Sequence, residues 1–109
     1  MKEDKVYIKH ILECIDKINK YTRQGKKTFM LSELIQDAVI RNLEIIGEAS
    51  KNISQELKGK NPNITWKEMA GLRDVLIHEY FGVDLYIVWN VVKNELPKIK
   101  TYLDEIKEQ

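Results

Sequence analysis

Apolar residues recur three and four positions apart over most of the chain, the period of helices that each bury one face. The first stripe is Tyr7, Ile8, Ile11, Leu12, Ile15 and Ile18. It predicts a helix from about Asp4 to Tyr21, with Asp4 as its N-cap. Gly25 and the basic residues around it form the first connection. A second helix is expected from about Leu31 to Ser50, burying Leu34, Ile35, Ala38, Val39, Leu43, Ile46 and Ala49, with a short continuation through Leu57. Gly59, Asn61, Pro62 and Asn63 then break the pattern. Thr65-Trp66-Lys67-Glu68 reads as a capping box opening a third helix to about Tyr80, stopped by Gly82. Asp84 caps a fourth helix carrying Leu85, Val88, Trp89, Val92, Leu96, Ile99, Leu103 and Ile106. Pro97 lies inside it and must kink it or shift its register. The fold class expected is all-α, an antiparallel up-and-down bundle of four to five helices.

The length, 109 residues, suits a single domain spanning 1–109. Five Gly and two Pro leave little material for the turns of a many-stranded β fold. No apolar run approaches the ~20 residues a bilayer requires, so no membrane partner is expected. One cysteine, Cys14, excludes an internal disulfide and suits a reducing compartment. The N-terminal stretch lacks an apolar targeting core, which makes the cytoplasm the default location. No His/Cys cluster has zinc spacing, and neither a metal nor a cofactor is expected.

Charge is nearly balanced, 18 Lys+Arg against 17 Asp+Glu. Attraction by the whole chain therefore cannot drive tight nucleic-acid binding. From Lys17 to Lys27 five cations (Lys17, Lys20, Arg23, Lys26, Lys27) occur with no acid among them. That run reads either as a solvated helix end and loop or as a phosphate track.

Chemistry concentrates on the third helix, Arg73-Asp74-Val75-Leu76-Ile77-His78-Glu79-Tyr80. At about 100° per residue Asp74 and His78 share a face, so the carboxylate can orient the imidazole and favour its charged form. Arg73 and Tyr80 share another face. Arg73 and His78 are about 140° apart, and one helix alone would not aim both at one small substrate. Two copies facing across a two-fold axis would. The same helix is apolar around much of its girth, which suits burial against a second copy or a path through the middle of the bundle. Arg offers phosphate a planar fork with a permanent charge, and His moves protons near neutral pH. There is no phosphate-binding Gly loop, no carboxylate set for Mg²⁺ and no nucleophile elbow. RNA cleavage fits, because RNA supplies its own nucleophile in the 2′-OH. The plainer alternative is structural: Arg73 paired with Glu44 or Glu48, His78 capped in the core, and Tyr80 as a helix-end anchor.

Arg73-x-x-x-x-His78-x-Tyr80, within GLRDVLIHEYFGVD, resembles the R-x-x-x-x-H-x-Y signature of HepT-type toxins of the HEPN superfamily. RNLEIIGEASK, the N-P-x-I-x-W lead-in to the third helix and V-D-x-x-I-V-W through Leu96-Pro97 follow in the same order, so the likeness covers almost the whole chain. It implies a HEPN-like bundle that forms a two-fold homodimer, with Arg73 and His78 catalytic in a cleft between protomers. It implies a metal-independent endoribonuclease acting on RNA (mRNA or tRNA) as the toxin of a type VII toxin–antitoxin pair. The implied partner is an MNT-type nucleotidyltransferase antitoxin that transfers AMP to Tyr80 and silences the enzyme. Asp74 stands where the wider superfamily often has Asn; it keeps the hydrogen-bonding role and adds a negative charge. His10 has no place in the motif and is expected on the surface of the first helix. A second functional reading is a non-catalytic subunit that presents a nucleotide or another acceptor to a partner nucleotidyltransferase.

Overall fold

The computed structural model describes residues 2–78 and 82–107, with the backbone alone for positions 2, 73–75, 77 and 78. Four long helical segments and two short helices make up the bundle, and no strand occurs among the described residues. α1 is Lys2–Tyr21, α2 Lys26–Leu31, α3 Glu33–Lys51, α4 Gln55–Lys60 and α5 Trp66–His78. α6 (Leu85–Asn90) runs through a π turn, Val91–Glu95, into α7 (Leu96–Lys107). α3 is the central helix, packed against both α1 and α5, and α1 also packs on α7.

The core follows the predicted stripes. Ile8, Ile11, Leu12, Ile15 and Ile18 of α1 meet Val39, Leu43, Ile46 and Ala49 of α3 and Leu96, Ile99, Leu103 and Ile106 of α7, all buried. Each Val, Leu or Ile among them contributes about 1.5–3 kcal/mol when removed from water. Cys14 is buried among them. Burial pushes its thiol above the ordinary cysteine range, which makes it a packing residue rather than a nucleophile.

Two features depart from the sequence reading, and a third gives form to a disturbance it expected. The first connection is itself partly helical: Lys26 and Lys27 open α2, whose Phe29 is fully buried, its ring centroid 5.3 Å from that of Trp89. Gly25 precedes it at φ 97°, ψ −178°, a conformation open essentially to glycine alone. Ser32 then caps α3, its Oγ accepting the Ile35 amide proton at 3.2 Å, and Gln36 Nε2 donates to the carbonyls of Phe29 and Met30. This break leaves Leu34 81% exposed in the first turn of α3, not buried as its spacing suggested.

Asp4 is the second departure. α1 begins at Lys2, so Asp4 lies inside its first turn and is not the N-cap. Its buried carboxylate accepts the Ser54 amide proton at 2.8 Å and the Ser54 hydroxyl proton at 2.6 Å, while Ser54 Oγ caps α4 by accepting from Leu57. The third concerns Pro97. Val88, Val92 and Leu96 are all buried at four-residue spacing, a drift of about 80° in a regular α-helix. The π turn absorbs that drift, and the Leu96 amide reaches back to the Val91 carbonyl. It lies one turn before Pro97, whose ring would otherwise crowd the Lys93 carbonyl.

Candidate functional site

Everything singled out for chemistry depends on how α5 is rotated. Ile64 and Trp66 seat its first turn: both are buried, and the Trp66 indole N–H donates to the Asn61 carbonyl at 3.1 Å. The Met69 amide donates to Thr65, which puts Thr65 at the cap position the sequence predicted. Met69 and Leu76, buried at 4% and 5% exposure, then fix the core-facing side of the helix. With that side set, backbone positions 74 and 78 fall about 140–180° away, on the side turned from the core. Position 73 lies at the flank, about 40–60° from Met69 and Leu76. The backbone of α5 thus carries Arg73, Asp74 and His78 in the expected register, and their side chains lie outside the described residues. Tyr80 lies outside the described residues as well.

Beneath the C-terminal half of α5 an apolar cavity of about 270 Å³ is lined by Leu72, Leu76, Val83, Ile87 and Val88. At its rim Asp84 caps α6, accepting from the Tyr86 amide at 2.9 Å and more weakly from Ile87 at 3.4 Å. The cap fixes where the chain re-enters the bundle after the motif. The V-D-x-x-I-V-W stretch therefore has a local reason: Asp84 starts a helix, Val88 buries, and Trp89 packs on Phe29.

Two further grooves are lined by charged residues. One, between α1 and α3, is lined by Tyr7, His10, Arg41, Glu44 and Glu48. His10 is exposed there, as expected, and Arg41 Nη1 lies 3.6 Å from the Glu44 carboxylate. Glu44 therefore has a cation from its own helix. The second groove lies at the start of α5 and is lined by Lys51, Gln55, Lys58, Trp66, Lys67 and Ala70. Sequence reading weighed the Lys17–Lys27 run as a phosphate track and missed this cluster, whose lysines are spread over three helices. The signal available was the period: Lys67 lies seven and eleven residues before Asp74 and His78, on their face. Lys17, Lys20, Arg23, Lys26 and Lys27 are all exposed, as either reading of that run requires. No group of His, Cys, Asp and Glu able to hold a metal ion occurs among the described residues.

The family model for HepT-like ribonucleases (Ribonuclease HepT-like) matches residues 11–106. The chain belongs to the HepT-like ribonuclease family. It is 45% identical over 104 residues to "Probable ribonuclease HepT" of Thermococcus cleftensis, covering 94% of both chains. It is 28% identical over 121 aligned positions to "mRNA nuclease HepT" of Shewanella oneidensis, covering 89% of this chain and 90% of that one. A Methanocaldococcus jannaschii protein named "Gamma-glutamylcyclotransferase and putative RNase" is 49% identical over 109 residues, and there the chain spans only 49% of the relative's length. No solved structure matches the chain significantly. Membership makes the chain a ribonuclease. No helix among the described residues is long and apolar enough to cross a membrane.

Proposed function

We propose that this HepT-like chain is the toxin of a type VII toxin–antitoxin pair, an endoribonuclease that cuts mRNA or tRNA with Arg73 and His78. The observation that carries the reading is the setting of α5. Its buried Met69 and Leu76 turn positions 74 and 78 outward and leave position 73 at the flank, where a second α5 across a two-fold axis can complete each site. The domain, 1–109, therefore works as a homodimer. In the reaction His78 takes the proton from a ribose 2′-OH or delivers one to the 5′-oxygen. The O2′–P bond forms, the P–O5′ bond breaks, and the products are a 2′,3′-cyclic phosphate and a 5′-OH. Arg73 stabilises the charge that builds on the phosphoryl oxygens. Asp74 positions His78. The attacking oxygen belongs to the substrate, so the step needs neither a protein nucleophile nor a metal, and DNA is spared.

Control falls to Tyr80. A partner nucleotidyltransferase transfers AMP from ATP to the phenol oxygen, releasing pyrophosphate. Tyr80 follows Arg73 by seven residues, so the added phosphate and adenosine would occupy the RNA path beside the arginine. The test is intact mass of the protein made with and without its nucleotidyltransferase, with RNA cleavage measured on each sample. Mass added in steps of one AMP, absent in Tyr80→Phe, with cleavage confined to the unmodified protein, is the expected result. No added mass, or full cleavage by the modified protein, contradicts the control mechanism.

A further inference from the structure

The groove between α1 and α3 is unclaimed by the α5 motif, and it combines flat rings with paired donors and acceptors. Tyr7 and His10 of α1 face Arg41, Glu44, Glu48 and Asn52 of α3 across an open depression of about 330 Å³. Tyr7 is half-buried and packed on the core, while His10 is exposed. The Glu44 side chain is 24% exposed, and Arg41 Nη1 lies 3.6 Å from its carboxylate. That separation is a charge contact, too long for a hydrogen bond, so the pair presents guanidinium donors beside carboxylate acceptors. Asn52, whose Nδ2 donates to the Glu48 carbonyl at 3.0 Å, closes the far end.

The groove runs alongside the cleavage motif. α3 and α5 are antiparallel: Lys51 at the end of α3 shares a depression with Trp66 and Ala70 at the start of α5, and Leu43 and Ile46 share another with Met69 and Leu72. At about 1.5 Å per residue on both helices, position 73 is therefore level with about positions 47–48 of α3. Glu44, Glu48 and Lys51 stand one turn apart in a row along α3, and Lys51 is on the side toward α5. That row alone separates the groove from the flank of α5 that carries position 73, roughly 10 Å from axis to axis. We infer that the groove takes an unstacked guanine of single-stranded RNA, one of the bases next to the cut. This deepens the ribonuclease reading and rests on it. With Glu44 paired to Arg41 the site offers a phosphate no net attraction, so its occupant is a neutral base. Single-stranded RNA is read by stacking its bases on aromatic rings and bonding their Watson–Crick edges, and Tyr7 and His10 supply the rings. Guanine alone among the four bases offers one carboxylate two adjacent donors, N1–H and N2–H, with the acceptor O6 beside them. Glu44 accepts from the two donors, and Arg41 donates to O6.

The experiment maps the cuts that wild type makes in a pool of single-stranded RNA of randomised sequence, by sequencing the product ends. Guanosine should be enriched at a fixed position next to the cut. Oligonucleotides carrying guanosine or inosine at that position then isolate the contact, since inosine lacks only the N2 amine. Wild type should prefer guanosine to inosine by about 10-fold in kcat/KM. Glu44→Gln should bring that ratio close to one, while Glu105→Gln, an exposed control on α7, keeps the wild-type ratio. The guanosine–inosine comparison on wild type stands even where a variant fails to fold. Cleavage without guanosine enriched beside the cut, equal rates on guanosine and inosine, or a ratio that folded Glu44→Gln leaves at the wild-type value overturns the inference and leaves the ribonuclease reading standing. A wild type that cleaves no RNA overturns both.

Discussion

Asp4 and Ser54 show how one residue pair joins distant parts of the chain. Burial works against ionisation of the Asp4 carboxyl, but the two hydrogen bonds from Ser54 and the charge of Lys58 outweigh it and hold the group below its ordinary value. A lowered folded-state value means that the ionised carboxylate stabilises the fold above the unfolded value, about 3.9, and that this contribution fades as pH falls through the folded value. Ser54→Ala removes the hydroxyl donor and the α4 cap while keeping the backbone amide bond to Asp4, and should cost about 1–3 kcal/mol in urea denaturation near neutral pH. The deficit should shrink as pH drops below about 4, because protonation removes the same contribution from wild type. A deficit that stays constant from pH 7 to pH 3 would contradict this account of Asp4. Local sequence cannot show the pair. An Asp just ahead of an apolar run looks like a cap, whereas its partner is fifty residues away. Arg73, Asp74 and His78 are proposed from sequence for the opposite reason, since motif and helical period are both local. Lys58 and Lys67 fell between these cases: they line one depression only through the turn that joins α4 to α5.

At the scale of elements, the apolar period located the four long helical segments, and punctuation within them proved less readable. α2 was hidden because six residues are too few to show a period, and its single anchor, Phe29, sits in a basic stretch. Gly25 is the residue that makes α2 possible. Gly25→Ala meets open space, with nothing within 4 Å of the added carbon, so its penalty is backbone strain. About 1–3 kcal/mol is expected, read as a lower urea midpoint with unchanged slope. A neutral Gly25→Ala would mean that the chain enters α2 by another conformation. The break after Leu31 also explains the exposed Leu34: the apolar period of α3 begins to face the core only beyond the cap at Ser32. In α7 the stripe was read correctly, and Leu103, fully buried, should lose about 2–5 kcal/mol on substitution by Ala. Pro97 announced a disturbance in register. Its form, a π turn, depended on Val88, Val92 and Leu96 all reaching the same core, which the sequence shows only once the helix is known to be continuous.

At the scale of the molecule, an all-α bundle turns one helix so that positions 74 and 78 lie on the side away from the core and position 73 at its flank. A single copy separates positions 73 and 78 by about 140°, which is why the function proposed here needs two copies. Sedimentation equilibrium should give twice the chain mass at micromolar concentration, and cleavage should fall off on dilution together with the dimer. A monomer that cleaves RNA at full rate would exclude a shared cleft. Exposed apolar side chains, Leu31, Leu34, Tyr86 and Ile87 among them, leave surface for association. The most direct test of the whole account is RNA cleavage by purified wild type, Arg73→Ala and His78→Ala, each assayed with excess chelator after circular dichroism has shown equal helicity. Wild type should cleave RNA and leave DNA intact, and each variant should be slower by about 10²–10⁴-fold. Undiminished cleavage by either folded variant, or wild-type activity lost to the chelator, would contradict the account.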